Sequence, residues 1–153
     1  MLIRRARQED VADIIAITNA SYQLYVERMG KKPAPMLADY AALLEHETVF
    51  VSADSMGRVN GFVVIVTCQQ SALIETVAVR VEMQGQGIGR ALMQFAEDWL
   101  GGQNIPEVSL YTHVTMYENR RWYPLLGYRE SGIVQEDGYE RVYFSKILKV
   151  VDP

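Results

Sequence analysis

The chain has 153 residues, 49% of them apolar and 22% charged, with a formal net charge of −4. That size suits one domain, residues 1–153, whose core needs no staples. The lack of a basic excess excludes a general nucleic-acid binder, and a single cysteine, Cys68, excludes an internal disulfide and a cysteine-rich zinc site.

Met1-Leu2-Ile3-Arg4-Arg5 lacks the apolar stretch of a signal peptide, and no segment reaches membrane-spanning length. A cytoplasmic protein with no membrane partner is expected. Leu2 to Ala6 reads as a first strand. Glu9 or Asp10 is placed to cap a helix in which Val11, Ile14, Ile15, Thr18 and Tyr22 recur at helical spacing. Residues 26–36, with Gly30, Pro33 and Pro35, break that pattern into a loop. A second helix is predicted over Leu37 to Glu45. Thr48 to Ala53 and Gly61 to Thr67 are rich in β-branched residues and flank a turn at residues 54–58, a hairpin signature. Cys68 is read with this second strand as a small core filler. Ala72 to Val79 is a further strand.

A glycine turn and a helix follow, the helix running from Gly87 to Leu100. Ile88, Ala91, Leu92, Phe95 and Trp99 form its stripe, and Gly101-Gly102 end it. Glu107 to Thr112 is a strand. Thr115-Met116-Tyr117-Glu118 matches a capping box, which places a helix start there and its end near Gly127. Gly132 to Gln135 and Tyr139 to Ile147 form a last hairpin around Asp137-Gly138. The order β-α-α-β-β-β-α-β-α-β-β predicts an α/β (mixed α+β) domain, its sheet covered by helices on both faces.

The turn Gln84-Gly85-Gln86-Gly87-Ile88-Gly89, followed by Arg90, leads from a strand into a helix. Such a turn aims several backbone N–H groups at one point, and the positive helix end adds to the field, so its natural ligand is a phosphate or pyrophosphate. A nucleotide P-loop needs Lys-Ser or Lys-Thr after its last glycine, and Arg90-Ala91 stands there instead. A dinucleotide-binding fingerprint needs glycines at its first, third and sixth places; Gly85 and Gly87 supply two, and Arg90 occupies the sixth. A third pattern, Gln/Arg-x-x-Gly-x-Gly/Ala, is matched in full. Further on, Asn119 and Tyr123 lie four residues apart on one predicted helix face, ahead of Gly127-Tyr128. Together these two segments resemble the signatures of the GNAT superfamily of N-acetyltransferases, and the resemblance extends to the order of elements. Two departures are Arg80, where many relatives have a small residue and then proline, and Pro124, which is expected to kink the last helix after Tyr123.

The resemblance implies the GNAT acyl-CoA N-acyltransferase fold: a central, mostly antiparallel sheet of about seven strands flanked by four helices. It also implies acetyl-CoA as co-substrate and direct attack of a primary amine, from a small molecule or a peptide, on the thioester. Two parallel strands, Ala72 to Val79 and Glu107 to Thr112, would splay apart. The backbones of Val77 and Val79 would pair with the pantetheine arm like an added strand. N–H groups from Gln84, Gly85, Gln86, Gly87, Ile88, Gly89 and Arg90 would hold the pyrophosphate, the Arg90 side chain adding a charge-assisted contact. Asn119 would bond the cofactor near its thiol end, and Tyr123 would be the general acid.

For the general base, Glu75 is one candidate. Strand alternation puts it on the face of Val77 and Val79, and a carboxylate in an apolar strand needs an explanation. His113 is the rival, with an unperturbed pKa near the working range. His46 reads as a surface residue. Tyr22, Tyr25, Arg28, Met29 and the stretch Lys31 to Met36 are candidates for acceptor specificity, although most of this loop, Lys31-Lys32 included, reads equally as solvated and self-anchored. Arg120 and Arg121 are left with two roles, one contacting phosphates and the other facing water. The competing function is a GNAT-fold module that binds acyl-CoA and catalyses nothing. The exposed last hairpin would suit a homodimer.

Overall fold

The computed structural model describes residues 1–150. Its strands are β1 (Leu2–Arg5), β2 (Thr48–Ala53), β3 (Val59–Cys68), β4 (Ser71–Val79), β5 (Glu107–His113), β6 (Arg129–Glu136) and β7 (Tyr139–Ile147). Its helices are α1 (Val11–Met29), α2 (Tyr40–His46), α3 (Ile88–Gly102) and α4 (Tyr117–Leu125). All seven strands form one sheet in the order β1-β2-β3-β4-β5-β7-β6. Only β4 and β5 run parallel; every other neighbouring pair is antiparallel. This is the predicted mixed α/β architecture of seven strands and four helices.

The sheet separates two apolar layers. Leu92, Met93, Ala96 and Leu100 of α3 pack on one face with Val63, Ile65, Val108, Leu110 and Phe144. Ile14 and Ile17 of α1 pack on the other with Val49, Val51, Phe62 and Val64. Each fully buried Val, Leu, Ile, Met or Phe among them contributes about 1.5–3 kcal/mol. A buried carboxylate, Glu97, crosses the first layer. It accepts from the Tyr128 hydroxyl (2.9 Å) and the Lys146 ammonium (2.7 Å), and Lys146 also donates to the Leu126 carbonyl (2.7 Å). Removing one partner of such a buried set costs about 3–5 kcal/mol. The bonds tie the end of α4 to α3 and β7, which sets the spacing of the two helices that matter below.

Several boundaries differ from the sequence reading. The first helix continues through Met29 and ends at Gly30, which is left-handed (φ 71°). No breaker precedes Gly30, and Arg28 holds the last turn by bonding Glu118 (2.7 and 2.8 Å). Asp10 does not cap α1; its carboxylate takes Arg4 (2.8 and 3.0 Å) and the Arg7 N–H (2.8 Å) instead. Ile15 is exposed, and Ile17 takes the buried place. The second helix begins at Tyr40, capped by Asp39 through the Ala42 N–H (3.1 Å). Gly101 and Gly102 form the last turn of α3 rather than its stop. A Cβ on Gly101 would lie 2.4 Å from the Lys149 carbonyl, so close approach, not termination, explains that glycine.

The capping box at Thr115 does not form. The helix starts at Tyr117 with no side-chain cap, because Glu118 is taken by Arg28 and Thr115 faces His113 (2.9 Å). Pro124 lies one residue before the end of α4, so its missing donor falls in the last turn and no helix continues beyond it to kink. Cys68 is exposed at the end of β3, opposite Ser71 in a tight reversal, and is no core filler. Asp137 (φ 53°) and Gly138 (φ 80°) form the predicted two-residue turn, both left-handed as that turn type requires.

Candidate active site

The parallel pairing of β4 with β5 covers Ala72↔Val108, Leu73↔Ser109 and Ile74↔Leu110, and goes no further. Beyond Ile74, β4 keeps β3 on one side, with Val77 opposite Val63 and Val79 opposite Gly61, while β5 continues along β7. The two strands splay. The edge of β4 from Glu75 to Val79 meets two side-chain donors, the Tyr22 hydroxyl at 3.5 Å from the Val77 carbonyl and the Gln84 amide at 3.1 Å from the Val79 carbonyl. The divergence begins at a bulge. Val64 faces Thr76 and Ile65 faces Ile74, so Glu75 is the extra residue. A bulge bends and twists its strand, which turns β4 away from β5.

The bulge also corrects the expected alternation. Ile74, Val77 and Val79 all pack in the α3 layer, whereas Ala78 and Val64 belong to the α1 layer. With one residue inserted, Glu75 points to the α1 side, opposite Val77 and Val79. Its surroundings agree: its charge acts on Tyr40 and Tyr111. Burial, and then the nearby Glu47, raise the Glu75 carboxyl above its ordinary range, with Arg141 opposing them.

The splay opens into a groove of about 510 Å³. Val77 and Val79 line it from β4, and Gln84, Gly85 and Gly87 from the turn. Ile88, Gly89 and Arg90 add the first turn of α3; Asn119 and Trp122 add α4. Gln86 is exposed outside this lining. Gly85 (φ 80°) and Gly87 (φ 85°) are left-handed, and a Cβ on either would stand in open space. Backbone conformation, not room, demands glycine there. The first bond of α3 runs from the Ala91 N–H to Gly87 (3.0 Å). The N–H groups of Ile88, Gly89 and Arg90 therefore have no helical acceptor and point out of the helix end, which suits an anion. The Gln84 side chain donates back to the Val79 carbonyl (3.1 Å), fixing the turn to the strand end. At Gly89 a Cβ would lie 3.3 Å from the Trp122 ring, so this glycine lets α4 close on α3.

Asn119 donates to the Thr112 hydroxyl (3.3 Å) and lines both the groove and a smaller cavity beside it. Tyr123 does not line the groove. Its ring packs against Trp122, Tyr128 and Phe144, with centroids 5.2, 6.0 and 5.8 Å away. Its hydroxyl has no hydrogen-bond partner among the described residues, yet it is not sealed from solvent-sized space. Burial, then the nearby Tyr25, push its pKa far above the ordinary tyrosine value. The same burial raises Tyr22, and the charge of Tyr123 adds to it.

His113 accepts the Thr115 N–H at Nδ1 (3.2 Å), which occupies that lone pair and leaves the proton on Nε2. Burial lowers its pKa, with Glu140 opposing and Lys31 and Arg141 adding to the fall. Arg120 is tied to the Val114 carbonyl (3.1 Å) and Glu130 (3.7 Å), and Arg121 is exposed; neither lines the groove. The Lys31-Lys32 segment is no free loop: Lys31 donates to the Gly138 carbonyl and stacks on Tyr139 (4.0 Å), and the Tyr139 hydroxyl donates to the Lys32 carbonyl (2.8 Å). Trp122 and Arg141 were missed in the sequence. Arg141 carried no signal like that of Glu75, a charge inside an apolar strand, because Glu140 and Lys146 are charged in the same strand.

The sequence matches the acetyltransferase (GNAT) family over residues 11–128. The chain belongs to the GNAT acetyltransferase family. A comparison with curated proteins found no match. Among solved structures, the chain is similar to an N-acetyltransferase from Staphylococcus aureus Mu50, with 19% identity, coverage of 97% and 98% of the two chains and a TM-score of 0.76. A ribosomal-protein-alanine N-acetyltransferase from Brucella melitensis has 20% identity, 97% and 100% coverage and a TM-score of 0.74. Mutant forms of the spermidine/spermine N-acetyltransferase from Vibrio cholerae have 22% identity, 95% and 93% coverage and a TM-score of 0.69. At these identities the likeness is one of GNAT fold. Among the described residues, no helix is long and apolar enough to cross a membrane, and no cluster of three or more metal-ligating side chains is present.

Proposed function

We propose that this chain transfers an acetyl group from acetyl-CoA to a primary amine of a small molecule or peptide. The observation that carries the reading is the splay of β4 from β5 after Ile74 and Leu110, leading directly onto the glycine turn. An unpaired strand edge, a left-handed glycine turn and an uncapped helix start lie along one groove, which fits the amides and the pyrophosphate of coenzyme A. Acetyl-CoA supplies the activated acyl group. The backbones of Val77 and Val79 orient the arm. The N–H groups from Gln84 to Arg90, with the Arg90 guanidinium, hold the pyrophosphate, and Asn119 positions the thiol end. Tyr123 keeps its proton at all physiological pH values and serves as the acid toward the leaving thiolate.

Glu75 is the better base. The His113 Nδ1 lone pair is engaged, whereas Glu75 is a half-buried carboxylate whose proton affinity is raised by burial. A base works ionised, so kcat/KM falls as pH drops through the Glu75 pKa, at a higher pH than an ordinary glutamate would give. The folded protein also binds this proton more tightly than the unfolded chain does. Stability therefore declines as pH rises through that window. Glu75→Gln is expected to lower kcat by about a hundredfold and abolish the acid limb, while raising Tm at pH 7. An unchanged pH–rate profile would assign the base elsewhere.

The burial of the Tyr123 ring outside the groove favours a second reading, a GNAT module that binds acyl-CoA without turnover. Calorimetry with acetyl-CoA and a thiol-release assay over an amine panel separate the two. Binding with thiol release supports the transferase. Binding without release supports the silent module, and no binding at millimolar acetyl-CoA overturns both.

A further inference from the structure

Beside the groove lies a second cavity of about 40 Å³ between the 33–35 loop, β5 and β7. Tyr22 and Asn119 line both spaces, so the cavity adjoins the thiol end of the groove. Its walls are largely apolar or aromatic, with Thr112, His113 and Asn119 as neutral polar groups and Arg141 as the charged one. Arg141 is only 7% exposed. Its guanidinium lies over the Tyr111 ring (4.3 Å) and near the Tyr139 ring (5.2 Å), which fix its plane.

The hydrogen bonds of that guanidinium are one-sided. Glu136 and Asp137 both accept from Nη1, each at 3.1 Å. Nε and Nη2 have no partner among the described residues. Among the described residues, Asn60 Oδ1 is the one sealed polar side-chain atom without a partner, so these donors keep some access to solvent, and Arg141 lines the cavity. The free Nε–Nη2 edge is the side of a guanidinium that takes a carboxylate with two parallel bonds. Asp137 lies largely in solvent, which screens its charge. Lys31 lies over the ring of Tyr139, which lines the cavity.

We propose that Arg141 binds a carboxylate on the acceptor, so that the substrate is an amine that also bears an acid, as in an amino acid or a short peptide ending nearby. The assignment rests on the N-acetyltransferase reading. The cavity has room for a group of a few heavy atoms, which matches a carboxylate head, with the amine directed back toward Asn119 and Tyr22. A polyamine would place a cation against a buried cation and is disfavoured.

The test measures thiol release with acetyl-CoA over the common amino acids, their amides and spermidine. The expected result is a kcat/KM at least tenfold higher for the best acid than for its amide, with spermidine a poor acceptor. Arg141→Gln is expected to bring the acid-to-amide ratio toward one, and Arg141→Lys to lower it less. Calorimetry with acetyl-CoA confirms that each variant is folded. Should neither fold, the wild-type ratio decides. Equal rates for acids and amides, or spermidine as the best acceptor, would overturn the assignment and leave the transferase reading standing. Silence across the panel would overturn that reading and the assignment with it.

Discussion

Gly87→Asp is expected to weaken acetyl-CoA binding by about a hundredfold, measured by calorimetry. The position combines a left-handed backbone (φ 85°) with the start of α3, where the helix field is positive. A carboxylate there would face the pyrophosphate that the proposed mode places on the turn. At roughly 5 Å and an effective dielectric constant of about 20, one such repulsion is worth about 3 kcal/mol, or about two decades in Kd. The backbone penalty for a side chain with positive φ is about 1 kcal/mol and falls on stability. Gly57 isolates that penalty. It is equally left-handed (φ 83°), has equally open surroundings and lies in the β2–β3 turn, away from the groove. Gly57→Asp should cost similar stability and leave Kd unchanged. Equal Kd values for the two variants would remove the pyrophosphate from the turn.

Tyr123→Phe is expected to reduce kcat by about a hundredfold while Kd for acetyl-CoA changes less than about threefold. The ring does the packing, against Trp122, Tyr128 and Phe144, and phenylalanine keeps that packing. The hydroxyl has no bonding partner among the described residues, so its removal breaks no bond and should leave Tm unchanged or slightly higher. Only the proton is lost. Parallel falls in kcat and affinity would make Tyr123 a structural residue, and an unchanged kcat would hand the acid role to water or to Tyr22.

The fold and the glycine turn of the groove were legible because both are written in local chemistry. Period-2 and period-3.6 patterns located every strand and helix. Gly85 and Gly87 are required by their own φ values, and helical spacing put Asn119 and Tyr123 on one helix, of which Asn119 lines the groove. The errors arose where a distant partner outbid a local preference. Glu118 had the spacing for a capping box, but Arg28 reaches it from α1 across the fold. Cys68 sat in an apolar run, but the reversal at Ser71 turns it outward.

The sequence by itself determined the family, the groove and its turn, since backbone conformation and spacing are properties of neighbouring residues. Only the tertiary structure decided where Glu75 and Arg141 stand. The bulge at Glu75 comes from the register of β3 against β4, and it moves that carboxylate to the face opposite Val77 and Val79. The free edge of Arg141 exists because Glu136 and Asp137 crowd onto Nη1 while Tyr111 and Tyr139 hold the plane. Register and long-range pairing depend on which strands meet, and that is settled when the whole sheet closes rather than by any single segment.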